Sequence, residues 1–133
     1  MILIRALTAM LCVSLVSCDR GADTRPIRAS ELVGTWAIKD HKPTGSAQSN
    51  CATDYSYILG EKGDFAGEFD EGGWTLEGNR LTITVTQSNY DTGGEGPLKP
   101  VSENPIVYQI LNRTRSVVAL TSNGTQLWFY ACN

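Results

Sequence analysis

The sequence predicts an all-β fold: a small antiparallel barrel of eight strands, with a two-sheet β-sandwich as the alternative packing of the same strands. Three observations predict it. Short runs rich in β-branched and aromatic residues recur between turn signals from residue 34 to residue 131. The clearest of them, Arg80 to Gln87, alternates strictly, with Leu81, Ile83 and Val85 on one face and Thr82, Thr84 and Thr86 on the other. No apolar period of 3.6 residues persists long enough to make a full helix.

Taken in order, Ser30 caps a short helical turn through Glu31, Leu32 and Val33, and Gly34 to Ile38 forms the first strand. Tyr55 to Leu59 is the second, closed by Gly60-Glu61-Lys62-Gly63. Phe65, Gly67 and Phe69 alternate with Ala66, Glu68 and Asp70 in the third. Asp70-Glu71-Gly72-Gly73 is expected to turn into Trp74-Thr75-Leu76, and Glu77-Gly78-Asn79 turns the chain into the Arg80 strand. After a long loop, Ser88 to Asn104, come Ile106 to Leu111, Val117 to Thr121 and Gln126 to Ala131. Their turns are Asn112-Arg113-Thr114-Arg115 and Ser122-Asn123-Gly124, the second a hairpin signature.

The chain before this domain has a different character. Of its 133 residues, Met1 to Arg5 carry one positive charge, and Ala6 to Val16 make an apolar run broken only by Thr8 and Ser14. Spanning a bilayer takes about 20 apolar residues, so the run suits a secretory signal better than a membrane helix. It ends in Leu15-Val16-Ser17-Cys18, which resembles the lipobox of bacterial lipoproteins. The resemblance implies cleavage before Cys18, a lipid anchor of diacylglycerol and a palmitate-like acyl chain on Cys18, and residence in the cell envelope, facing the periplasm or the exterior. The domain plan is then a signal peptide over 1–17, a lipidated flexible tether over 18–29 and a β-barrel over 30–133.

Without residues 1–17, ten basic side chains face fourteen acidic ones, a net charge of −4. Such a chain lacks the clustered Lys and Arg that nucleic acid requires. No polybasic run for anionic lipid appears along the sequence either, since Arg20, Arg25 and Arg28 are partly offset by Asp19 and Asp23. If Cys18 is lipidated, Cys51 and Cys132 are the only pair left to form a disulfide, which an oxidising envelope would preserve.

Gly34-Thr35-Trp36 after a short turn resembles the opening of lipocalin-like barrels, and Gly73-Trp74-Thr75-Leu76-Glu77-Gly78-Asn79-Arg80-Leu81 is similar to their Trp-strand, turn and strand unit. This resemblance implies an eight-stranded barrel with a structural Trp36. A second resemblance, to small barrel inhibitors of secreted proteases, rests on size and export. Those inhibitors act through the segment preceding the barrel, which here is the tether, and their cysteines are placed differently.

The sequence contains no GxSxG, HExxH or GxxxxGK motif. His41, the single histidine, sits beside Lys42 and Pro43 with only Ser46 and Ser49 near it, and reads as a solvated loop residue. Asp64, Glu68, Asp70 and Glu71 do not match a calcium loop and read as an outward polar face. No metal or cofactor is expected. The Gly93-Gly94-Glu95-Gly96-Pro97 segment reads as a surface loop, with a lid or partner-binding loop as the alternative. The functional expectation is a non-enzymatic binding module for a small apolar ligand or an exported protein. Its alternatives are a structural lipoprotein without ligand and an inhibitor of an exported protease. A cavity lined by Tyr57, Trp74 or Trp128 would mark the ligand reading, and a filled barrel with exposed aromatics the protein reading.

Overall fold

A computed structural model describes residues 25–42, 51 and 55–132. The signal segment 1–17, Cys18, most of the tether, Ser46 and Ser49 lie outside the described residues. Among the described residues, a helical turn, α1 (Ala29–Leu32), precedes nine strands. These are β1 (Gly34–Lys39), β2 (Ser56–Leu59), β3 (Asp64–Ala66), β4 (Asp70–Glu77), β5 (Arg80–Ser88), β6 (Lys99–Pro100), β7 (Ile106–Arg113), β8 (Val117–Ser122) and β9 (Thr125–Ala131).

All pairings are antiparallel, and every barrel strand lies beside its neighbours in that order, so the chain winds up and down. β9 returns to pair with β1, which closes the ring. The result is a closed eight-stranded barrel, with two-residue β6 as a short extension that pairs only with the end of β5. Closure removes the free edges that an open sheet of this size would expose.

The alternation of Arg80–Ser88 appears in the burial, with Leu81, Ile83 and Val85 inward and Thr84 and Thr86 exposed. Registered partners continue these inward rows around the wall. Ile83 lies between Trp74 and Ile106, and Leu81 between Leu76 and Tyr108. Leu120 joins Ile110 to Leu127, and Phe129 joins Val118 to Ile38.

One end is plugged. α1 sits where β1 begins, and Leu32 is fully buried there together with Ile27. The packed core thus reaches back to Ile27. The Trp36 indole N–H donates to the Leu32 carbonyl at 2.7 Å, joining the plug to the first strand. Burying Leu32 contributes roughly 1.5–3 kcal/mol, against about 0–1 kcal/mol for the exposed Arg25–Glu31 pair, so the plug is held mainly by apolar contact.

Several local expectations need correction. The helix is capped by Arg28 and Glu31, with the Arg28 backbone N–H donating to the Glu31 carboxylate at 2.7 Å; Ser30 lies inside the turn. β3 ends at Ala66, and the reversal comes at Gly67, whose N–H donates to the Asp70 carbonyl at 2.8 Å. Asp70-Glu71-Gly72-Gly73 is therefore strand, not turn. A bulge between Glu71 and Gly72 lets the backbones of β4 and β5 approach there, and a Cβ on Gly72 would overlap the Thr84 carbonyl oxygen.

Cys51 and Cys132 are disulfide-bonded, with Cα atoms 5.7 Å apart. Cys132 sits at the plugged end, its N–H donating to the Thr35 carbonyl at 2.9 Å. β1 leaves, and β2 starts, at the opposite end, so the bridge draws Cys51 back along the barrel. A sequence separation of 81 residues is worth about 4–5 kcal/mol in the chain-entropy description.

Candidate functional site

The bore and the open rim hold the groups available for function. Tyr57 on β2 and Tyr108 on β7 stand diametrically opposite in the ring of eight strands, four neighbours apart in either direction. Their hydroxyls lie 3.4 Å apart, so the two side chains meet across the barrel axis. Phe129 packs edge-on against both, with centroids 5.8 Å from Tyr57 and 5.5 Å from Tyr108. Phe65 closes on Tyr57 from the other side at 4.9 Å. These edge-to-face contacts give a fixed aromatic layer across the bore.

Burial raises the Tyr57 and Tyr108 hydroxyls above the usual phenol range, because a phenolate there would lose its water. The Tyr55 hydroxyl rises for the same reason, reinforced by Tyr57 and by the nearby charges of Asp70 and Glu68. All three stay neutral near pH 7 and serve as hydrogen-bonding groups rather than bases.

Above this layer the rim is aromatic and acidic. Tyr55 stacks edge-on above Tyr57 at 5.6 Å and stays 42% exposed, while Tyr90 is 72% exposed. Phe69 packs edge-on against Tyr90 at 5.6 Å. The Gly67–Phe69 turn therefore runs between two exposed tyrosines.

The glycine-rich segment is built onto this turn. Asn89 organises it: its backbone N–H donates to the Phe69 carbonyl at 3.0 Å and its side-chain amide to the Gly96 carbonyl at 3.0 Å. Its own carbonyl accepts from Gly94 N–H at 3.1 Å and from the Thr92 hydroxyl at 2.9 Å. Gly94 has φ +85°, and a Cβ there would press on the Phe69 ring at 2.8 Å, so both conformation and space require glycine. An Asp91–Lys99 ion pair at 3.6 Å spans the segment, and Val101 beyond it packs on the core.

The residues singled out in the sequence separate into different places. Trp36 and Trp74 are buried, and the Trp74 indole donates to the Gly60 carbonyl at 3.0 Å, so both are structural. Trp128 pairs with Ala119 and Lys39 on the outer wall and does not line the bore. His41 is exposed with Nδ1 3.1 Å from the Asp40 carboxylate, an interaction that lowers the Asp40 pKa, and its carbonyl accepts from the Tyr130 hydroxyl at 3.3 Å. Glu68 lies in a turn and Asp70 opens β4, so they do not form the shared strand face expected of them. Among the described residues, no three His, Cys, Asp or Glu side chains gather as a metal site.

One ion pair with a buried arginine was not visible in the sequence. Arg113, 5% exposed, faces inward opposite Val118 and meets the Glu31 carboxylate at 3.1 Å. Its place follows from a bulge between Ile110 and Asn112, which leaves Leu111 exposed and shifts the alternation by one residue. Strict alternation from Tyr108 and Ile110 would have put Asn112 inside.

Compared with models of known protein families, with curated proteins and with solved structures, the chain matches none.

Proposed function

We propose that the chain is an envelope lipoprotein, lipocalin-like in architecture and anchored through Cys18, that acts as a non-enzymatic binding module through its open rim. The observation that carries this reading is the contrast between bore and rim. The bore is crossed by the Tyr57–Tyr108 contact and filled by Phe65 and Phe129, whereas Tyr55 and Tyr90 are exposed at the mouth. Exposed aromatics on a rigid scaffold suit association, and they favour an exported protein over a small apolar ligand, which would need the interior.

Two measurements test the proposal. Cys18→Ser should abolish incorporation of labelled palmitate, and continued incorporation sinks the anchor. Native mass spectrometry of the protein taken from its own membrane should show a protein-sized adduct that Tyr90→Ala weakens about tenfold or more. An adduct that is indifferent to Tyr90→Ala contradicts binding at the rim.

A further inference from the structure

The fold sorts charge in a way the linear sequence conceals. Every Asp, Glu, Lys and Arg among the described residues lies at one end of the barrel or the other. The rim segments carry seven carboxylates, among them Glu68, Asp70, Asp91 and Glu95, against Lys39, Lys42 and Lys99. The plugged end carries six basic residues against four acidic ones, with Arg28, Lys62, Arg80 and Arg115 exposed. The rim is thus at −4 and the plugged end at +2 among the described residues. Arg28, Lys62, Arg80 and Arg115 come from four separate turns or termini, which is why no polybasic run appears in the sequence.

The plugged end is also where the chain toward Cys18 leaves the barrel, since Arg25 and Ile27 lie there. Seven peptide units separate Cys18 from Arg25, a reach of at most about 25 Å. A lipid on Cys18 therefore holds the basic end within a few Debye lengths of the membrane at physiological salt, where each approach brings attraction at that end and repulsion at the rim.

We infer that the plugged end, through Arg28, Lys62, Arg80 and Arg115, is a docking surface for anionic phospholipid headgroups that turns the rim away from the membrane. The inference rests on the Cys18 anchor proposed above. It gives the rim a fixed outward presentation, toward partners in the aqueous compartment.

The test uses the lipidated protein purified from its membrane and added to vesicles of phosphatidylcholine alone or with about 30% phosphatidylglycerol. Asn79→Cys reports on the plugged end and Thr125→Cys on the rim, each read as the labelling rate with a membrane-impermeant maleimide. In the anionic vesicles, residue 79 should react at least about threefold more slowly than in neutral ones, and residue 125 equally fast in both. The triple variant Arg28→Gln/Arg80→Gln/Arg115→Gln should erase the difference. Equal rates at residue 79 in the two vesicles, or slowing at residue 125 instead, overturn the proposal while leaving the anchor intact. Protein that fails to float with either vesicle overturns the anchor and, with it, the docking surface.

Discussion

At the scale of single residues, Glu31 joins more of the molecule than its exposed position suggests. Its carboxylate accepts from the Arg28 backbone, pairs with Arg25 at 3.4 Å and meets buried Arg113 at 3.1 Å. Stripping the partner from a buried charge costs about 3–5 kcal/mol when nothing else compensates. Arg113 keeps further interactions and the Glu31 side chain is 32% exposed, which moves the expectation lower. Glu31→Ala should cost about 1–2 kcal/mol in urea unfolding, with m unchanged. A loss under a few tenths of a kcal/mol would mean that the pair is incidental and that Leu32 alone holds the plug. None of this was legible in the sequence, where Arg113 stood in an expected turn. A one-residue bulge leaves no mark in composition, yet it decides which side chains face the core.

At the scale of elements, the strands were legible where alternation and β-branching coincide, as in Arg80–Ser88 and the first half of Ile106–Arg113. They were misread where glycine serves a strand. Gly72 and Gly73 look like turn residues, but they pair with Val85 and Thr84 inside the β4–β5 ladder. The close backbone approach at the bulge excludes a side chain at Gly72. Gly72→Ala should destabilise by about 2–3 kcal/mol, as an overpacked site does. Gly78→Ala is the control: it lies in a real turn, at φ +59° with open space around it, and should cost only about 1 kcal/mol. Equal losses at the two positions would show that conformation, not contact, sets the requirement at Gly72. The glycines and prolines between Ser88 and Asn104 mark a loop, though Ser88 ends β5 and Lys99–Pro100 form β6; its anchoring is hidden in the sequence, because it depends on Asn89 meeting Phe69 from another hairpin.

At the scale of the whole molecule, strand count and turn spacing pointed to a barrel, and the cysteine count to the Cys51–Cys132 bridge. The rim was not legible, because Tyr55, Phe69 and Tyr90 are far apart in sequence and are gathered only when β2, the β3–β4 turn and the segment after β5 reach the same end. Nor was the crossing of the bore, which depends on β2 and β7 standing opposite each other once the ring closes. That crossing underlies the choice of rim over interior, and ligand uptake tests it directly. Titrating a fluorescent fatty acid, dansyl-undecanoate, into the full chain should give no saturable binding and no quenching of Trp36 or Trp74. Saturable one-to-one uptake with tryptophan quenching would contradict a closed bore and move the binding site inside the barrel.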